Sequence, residues 1–200
     1  MFNFASMTDT RQAILEKNFE VMRLNGFQGT RSDKIIEDLG ITKGAFYYYF
    51  PSKKDLGYAV IDEMLAPGYL KLWGQVRQQT GQAPDRLILV IRLVASRADS
   101  QNIRLGCPLN NLVQEMSPID DGFKQRLDSL SQQIIGMIRE TIEAGIREGS
   151  IRPEVNPTGV AHLVWASVEG SFSIGKASQS TGSFLTAIEA LISYINSLRT

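Results

Sequence analysis

The 200-residue sequence has only one cysteine and one histidine, and its 21 basic and 21 acidic residues leave no net charge. One cysteine excludes an internal disulfide framework and suits a reducing cytoplasm. A zero net charge argues against a generally basic coat for nucleic acid, although a local basic patch is enough to contact phosphate. We expect neither a metal nor a cofactor.

The sequence also lacks a run of about 18 apolar residues, so no membrane span is predicted. The segment Met1–Met7 lacks the charged start and apolar core of a signal peptide. Hydrophobic residues make up 43% of the chain, which is enough to bury a core. These features predict a cytoplasmic protein that folds around a core of its own.

Apolar residues recur at spacings of three and four along most of the chain, and no strand-like alternation is evident. This pattern predicts an all-α fold of about nine helices. We place a three-helix domain at residues 8–56 and a second domain at residues 57–200. Pro67-Gly68 is expected to kink or interrupt the fourth helix.

The N-terminal domain contains two short helices joined by a tight turn. Thr30 is predicted to cap the first of the pair, with Asp33 as its capping-box partner. Gly40 can take the left-handed conformation that ends that helix, and Thr42 is predicted to cap the next one. This is the arrangement of a helix-turn-helix that reads DNA.

The segment Thr42–Lys54 carries three lysines, three tyrosines and no acidic residue. Phe46 and Phe50 lie four residues apart and are predicted to pack inward, with Tyr49 beside them. The other faces carry hydroxyls, an ammonium and a glycine, which suit phosphate oxygens and base edges. A helix-turn-helix shape that serves only as a packing corner is the alternative. The predicted DNA-contacting residues are Arg31, Ser32, Thr42, Lys43, Gly44, Tyr47, Tyr48 and Lys53.

The run LGITKGAFYYYFPSKKDL at residues 39–56 resembles the N-terminal domain of the tetracycline-repressor (TetR/AcrR) family. Tyr47, Phe50, Lys53 and Leu56 fall on its most characteristic positions. The resemblance implies a DNA-binding regulator, not an enzyme, that binds a palindromic operator and is released by a small molecule. It also implies a homodimer formed through the last two helices, for which the candidate residues are Val164, Val168, Phe184, Ile188, Leu191 and Ile195.

The effector is poorly specified by the sequence. Lone His162 is read either as a partly buried packing residue or as an effector contact. Pro108 suits a first helical position, which would place Cys107 at a helix cap and lower the pKa of its thiol. Cys107 is thus either a sensor of electrophiles or oxidants or a small buried hydrophobe. The candidate pocket residues are Trp73, Leu93, Cys107, Leu112, Met116, His162, Trp165 and Phe172.

Two other classes of function compete with this interpretation. An enzyme would use Cys107 as nucleophile and His162 as base, but no accompanying motif supports that pair. A helical protein-interaction module would bind no DNA and would show no salt-dependent DNA affinity.

Overall fold

The computed structural model describes residues 4–200, with side chains from residue 10 onward. Within this part of the chain all regular structure is helical, which confirms the all-α prediction. The helices are α1 (Phe4–Gly29), α2 (Ser32–Leu39), α3 (Lys43–Tyr49), α4 (Lys53–Ala59), a π-helical segment (Val60–Leu65), α5 (Ala66–Trp73), α6 (Gln75–Gln78), α7 (Ala83–Ser96), α8 (Ser100–Leu105), α9 (Pro108–Met116), α10 (Asp121–Arg147), α11 (Pro157–Ser178) and α12 (Thr181–Asn196).

The chain forms two compact units. The first contains the residues up to Pro67 together with Asn111–Leu127, and the second contains Gly68–Asn110 and Asp128–Thr200. Residues 57–67 and 111–127, which were predicted to lie in the second domain, therefore cluster with the first unit. The chain passes from one unit to the other within α5, within α9 and within α10.

The core of the first unit is built from one or two apolar residues of each of the helices α1 to α4. Ile14 and Leu15 of α1, Ile35 of α2, Phe46 of α3 and Leu56 of α4 are at most 1% exposed. Burial of each such side chain contributes roughly 1.5–3 kcal/mol. Helices α2, α3 and α4 have only 7 or 8 residues and are too short to be stable alone, so this shared core fixes their positions.

The first helix is kinked at Gly26. Gly26 has φ 75° and ψ 172°, and one further turn follows before α1 ends. A side chain at this position would be strained by the positive φ, and its Cβ would lie 2.8 Å from Oε2 of Glu115. Glycine is thus required both for the backbone conformation and for the close approach of that carboxylate.

Pro67 does not produce a loop. The helical segments from Lys53 to Trp73 follow one another without a break, and the π-helical segment ends at Leu65, two residues before the proline. Its register is shown by Ala66, whose N–H bonds to the carbonyl of Ile61 five residues earlier. The predicted interruption is therefore a local change of helix winding.

The long helix α10 carries a stripe of buried residues. Phe123 and Leu127 are buried in the first unit, and Ile134, Ile138 and Ile142 are buried in the second. None of the helices in the described part of the chain is long and apolar enough to span a membrane.

Candidate nucleic-acid interface and buried polar cluster

The turn between α2 and α3 has the predicted geometry. Gly40 ends α2 in the left-handed conformation, with φ 62° and ψ 27°. Thr42 caps α3, and its Oγ1 accepts a hydrogen bond of 3.1 Å from the N–H of Ala45. Both predicted caps are confirmed, and they fix the direction in which α3 leaves the turn.

The prediction that Thr30 caps α2 is wrong. The N-cap is Arg31, which makes no capping hydrogen bond through its side chain. The Thr30 hydroxyl instead donates to the carbonyl of Gly26 at 2.8 Å, because Thr30 lies one turn after the kink in α1. Asp33 is not a capping partner either, since its carboxylate lies 3.0 Å from Nζ of Lys43.

Helix α3 has one buried and one open side. Phe46 and Phe50 are buried, whereas Tyr47 and Tyr48 are 46% and 71% exposed. The remaining members of the predicted contact set on this helix and its cap, Thr42, Lys43 and Gly44, are also exposed. The faces of α3 thus divide as its sequence spacing predicts, and contact with DNA stays a prediction.

An ion pair bridges the turn. The hydrogen bond from Lys43 to Asp33 raises the pKa of the lysine and lowers the pKa of the carboxyl group. Both side chains are well exposed, so water and salt screen the pair. Lys43 therefore has an acidic partner in the free protein, which phosphate would have to replace.

Lys53 is used within the first unit. Its Nζ donates to the carbonyl of Gln28 at 3.1 Å and lies 4.7 Å from the centre of the Phe27 ring. Burial lowers the pKa of this ammonium. Lys53 therefore holds the end of α1, while the two other predicted flanking contacts are exposed at Arg31 and half-buried at Ser32.

The kinked end of α1 is held by Glu115 of α9. Its carboxylate accepts hydrogen bonds from the N–H groups of Phe27 at 2.9 Å and Gln28 at 2.7 Å. These backbone groups have no partner within a regular helix, because Gly26 breaks it. Glu115 thus fixes the chain just before α2, and sequence reasoning did not single it out.

Asp120 is the most heavily bonded carboxylate of the first unit. It lies 2.7 Å from Nζ of Lys54, 2.7 Å from the hydroxyl of Tyr58 and 3.0 Å from the backbone N–H of Phe123. Lys54, Tyr58 and this N–H together hold the pKa of Asp120 far below its usual range. The beginning of α10 is thereby tied to α4, the helix that follows α3.

The second unit contains a polar cluster of the buried Cys107 and the half-buried Tyr69 and Glu169. The hydroxyl of Tyr69 and Sγ of Cys107 share a hydrogen bond of 2.9 Å. The thiol also lies 3.4 Å from Oε1 of Glu169 and 3.5 Å from the N–H of Asn110. The cluster joins α5, the residue before α9, and α11.

The expected lowering of the Cys107 pKa is wrong. Burial and the nearby charge of Glu169 raise the pKa of this thiol, and they outweigh the hydrogen bonds from Tyr69 and Asn110. The same burial raises the pKa of Glu169 to about 7 and raises that of Tyr69. Each of the three groups thus favours its neutral form over the ionised one more than in water.

The predicted effector-pocket residues are only partly brought together. In the second unit, the rings of Trp73 and Trp165 meet edge to face at 5.8 Å, and Phe172 lies 4.8 Å from the Phe184 ring. Leu93 is half-buried in the same unit. Leu112 and Met116 are buried, but they belong to the first unit.

His162 does not fit the predicted partly buried packing role. It is exposed, and its Nδ1 is 2.8 Å from the carbonyl of Thr158 in its own helix.

Among residues 10–200 no group of three or more His, Cys, Asp or Glu side chains could hold a metal ion. The polar residues missed in this unit are Tyr69 and Glu169. The signal for Glu169 was its position as the single acidic residue of α11.

The residues proposed for the dimer interface are buried inside their own subunit, at most 4% exposed, and Leu191 alone among them lines the groove described below. These residues are Val164, Val168, Phe184, Ile188, Leu191 and Ile195. The open side of α11 and α12 instead carries Leu163 and Ile174, which are 45% and 52% exposed. A shallow groove of about 390 Å³ lies there, lined by Leu163, Ser167, Gly170, Ser171, Ile174, Ala187, Ala190, Leu191 and Tyr194.

Comparisons with known proteins agree with this architecture. Residues 14–60 match the bacterial regulatory proteins of the tetR family, and residues 83–191 match the tetracyclin repressor-like C-terminal domain. An uncharacterized HTH-type transcriptional regulator of Lactococcus lactis subsp. lactis is 28% identical over 174 residues, which cover 87% of each chain. The HTH-type transcriptional repressor DhaR of Mycobacterium sp. (strain GP1) is 26% identical over 189 residues, covering 92% of this chain and 93% of DhaR.

The fold is shared with solved structures as well. The crystal structure of a TetR-family transcriptional regulator from Cytophaga hutchinsonii has a TM-score of 0.84 and 25% sequence identity, and the match covers 99% of this chain and 98% of that one. Two family profiles matching most of the chain, together with the capped and exposed α3, lead to one conclusion. This chain belongs to the tetR family and is a DNA-binding transcriptional regulator with a helix-turn-helix in its N-terminal part.

Proposed function

We propose that the protein is a repressor that binds a palindromic operator as a dimer and releases it when a small molecule binds the second unit. The observation that carries this proposal is the open face of α3, where Tyr47 and Tyr48 are exposed on a helix whose opposite side is locked into the core. A tyrosine side chain has an apolar ring and a polar hydroxyl, which suits contact with a wet groove, and tyrosine is enriched at interfaces for this reason.

In this proposal the start of α3 meets the DNA backbone and its open side faces the major groove. Thr42 caps one of the first N–H groups, and the others remain for a phosphate. Lys43 exchanges Asp33 for phosphate, while Tyr47 and Tyr48 contact base edges or the sugar-phosphate chain. Lys53 has a supporting role, because it positions the end of α1.

The dimer is proposed to form through the groove on α11 and α12. Its exposed lining includes apolar side chains and small residues such as Gly170 and Ala190, which allow helices to approach closely. Two reading heads then contact successive major grooves about 34–36 Å apart, and the operator is a palindrome.

Effector binding is proposed to change that spacing. The unbroken helical run Lys53–Trp73 begins three residues after α3 and continues into the second unit. A coupling of roughly 1–3 kcal/mol between the two sites would weaken operator binding by about 5–150-fold. The buried thiol of Cys107 favours an effector that binds without covalent chemistry over an electrophile or oxidant.

The DNA-binding part is tested by selecting genomic fragments with the purified protein and measuring affinity for the selected site by fluorescence anisotropy over a salt series. Lys43→Ala is expected to weaken binding about tenfold and to lower the salt slope by about one, and Tyr48→Ala to weaken it by a similar factor. Lys71→Ala, which removes an exposed lysine of the second unit, is the matched control. Normal binding by both α3 variants would show that α3 is not the reading helix.

The dimer is tested with Ala190→Arg, which places a charge in the groove on α12. Sedimentation should show a monomer, and operator affinity should fall by about 100-fold or more because the two heads are no longer linked. Asn196→Arg adds the same charge to an exposed position of α12 on the side away from the groove-lining residues and should leave the dimer intact. A dimeric Ala190→Arg protein would place the interface elsewhere.

The exclusion of thiol chemistry is tested by mass spectrometry after mild exposure to hypochlorite or a quinone, with operator binding measured on the same sample. An unmodified Cys107 and unchanged binding are expected. Modification of Cys107 together with loss of operator binding would instead establish an electrophile or oxidant as the effector.

A further inference from the structure

One carboxylate oxygen in the second unit is buried without a partner. Oε2 of Glu169 is inaccessible to solvent and has no hydrogen bond to any described residue. Glu169 is also the single acidic residue of the 22-residue helix α11, which is otherwise mostly apolar and small. A buried polar atom of this kind is rare in folded proteins and marks a strained group, a catalytic group, or a position that an ordered water, an ion or a ligand completes.

The neighbours of Glu169 offer it little compensation. Its other oxygen, Oε1, accepts only a long bond of 3.4 Å from the weakly polar thiol of Cys107. The hydroxyl of Tyr69 is engaged with the same thiol rather than with the carboxylate. Neither neighbour carries positive charge, so an ionised Glu169 would be a buried anion without a counter-ion, which is unfavourable.

An aromatic surface lies on the same side of α11. Trp165 precedes Glu169 by four residues, so the two side chains share one face of the helix. Trp165 is half-buried and is held edge to face against the buried Trp73. A fixed indole next to an unpaired carboxylate is the combination that recognises a cationic nitrogen, by charge and by the ring quadrupole.

We propose that Glu169 and Trp165 form a subsite for a small organic cation, an amine or quaternary ammonium attached to an apolar body. An amine donates a hydrogen bond to Oε2 of Glu169, and its apolar body packs on Trp165. A Glu169 that is protonated before binding loses its proton to the buffer when the cation arrives. That the cation acts as the effector rests on the proposed function; the subsite itself does not.

The subsite is tested by isothermal titration calorimetry on the full chain without DNA. The probes are benzylamine, benzyltrimethylammonium and benzyl alcohol, which share the aromatic body and differ in charge. Both cations are expected to bind at least tenfold more tightly than the alcohol, and Glu169→Gln should remove that preference. Glu154→Gln, at an exposed position of the same unit, is the control and should bind like the parent protein.

A second measurement uses only the unmodified protein, so its result does not depend on whether the Glu169→Gln variant folds normally. Titrations of benzylamine near pH 7 in buffers of different ionisation enthalpy should show release of a fraction of a proton per site from the unmodified protein. No proton release, equal binding of benzylamine and benzyl alcohol, or no ammonium binding up to about 10 mM would each overturn the subsite. Failure of operator binding would overturn only the proposed function, because these titrations contain no DNA.

Discussion

Asp120 in the first unit and Glu169 in the second are two carboxyl groups whose pKa values are shifted in opposite directions. Asp120 receives three donors, including the ammonium of Lys54, and its pKa is held far below the usual range. Glu169 receives one weak donor, and burial raises its pKa to about 7. Asp120 thus acts as a structural hydrogen-bond acceptor, whereas Oε2 of Glu169 accepts no hydrogen bond from any described residue.

The contrast extends to the neighbouring carboxylates. In the first unit Glu115 accepts from two backbone N–H groups, and Asp38 lies 2.7 Å from Nζ of Lys34. Each of these contacts fixes a helix that positions α3. These three carboxylates of the first unit are therefore paired in the absence of DNA, whereas Oε2 of Glu169 in the second unit is buried without a hydrogen-bond partner.

The largest expected effect is on the pH dependence of stability through Glu169. Its folded-state pKa is about 7, above the ordinary value of 4.5, so the folded state holds the proton more tightly than the unfolded chain. The free energy of unfolding therefore falls as pH rises from about 4.5 to about 7, by roughly 3 kcal/mol, and is level above that. Glu169→Gln cannot titrate, so it should be more stable than the parent protein by this amount near pH 8 and equal to it near pH 4.5.

Urea denaturation across this pH range measures the effect. Glu154→Gln, which changes an exposed carboxylate of the same unit, should show no such pH-dependent difference. A Glu169→Gln protein that differs from the parent by the same amount at every pH would mean that packing, not titration, sets the difference, and the contrast with Asp120 would then fail.

A smaller loss of stability is expected from substitution of Glu115, which accepts two backbone hydrogen bonds at the end of α1. Glu115→Ala leaves the N–H groups of Phe27 and Gln28 without their charged acceptor, which should lower the free energy of unfolding by about 2 kcal/mol. Glu115→Gln keeps one amide oxygen as acceptor and should lose about half of that. Urea denaturation at neutral pH gives both values. Parent-like stability of the alanine variant would show that water replaces the carboxylate.

A third prediction concerns Asp120, for which stability changes with pH in the opposite direction to that expected for Glu169. The lowered pKa of Asp120 contributes stability that is present above the ordinary pKa of an aspartate and is lost as pH falls below it. Asp120→Asn should be less stable than the parent at neutral pH, by less than Glu115→Ala, because exposed Lys54 can turn to water. The difference should stay constant down to about pH 4 and narrow below it, as followed by acid denaturation. A difference that widens in acid would contradict the assignment.

The reading helix was predictable because its determinants are local. Gly40 and Thr42 act through bonds to residues at most a few positions away, and the spacing of Phe46 and Phe50 settles which side of α3 is buried. The role of Thr30 was mispredicted for a non-local reason. The kink at Gly26 presents a carbonyl to which Thr30 donates instead of capping α2. The N–H of Phe27 after this kink is bonded to Glu115, which lies 88 residues further along the chain.

The polar cluster of the second unit was not predictable in this way. Tyr69 and Cys107 are 38 residues apart, and Cys107 and Glu169 are 62 apart, so no local spacing indicates that they meet. The thiol pKa was mispredicted because a helix start was considered without its burial. The interface residues were chosen as the most apolar stripes of the last two helices, and those stripes are the ones that a subunit uses for its own core.

The smallest expected effect concerns the exposed ion pair between Asp33 and Lys43 across the turn. Asp33→Asn frees Lys43 and removes a negative charge near the proposed DNA face, so operator affinity should rise about two- to fivefold at low salt and little at high salt. The two causes are separated by adding Asp33→Asn to Lys43→Ala and measuring anisotropy for all four proteins. If the gain disappears in the Lys43→Ala background, Asp33 acts by holding Lys43 back from phosphate. If the full gain persists, Asp33 acts only by repelling phosphate, and the first unit has no internal competitor for its operator.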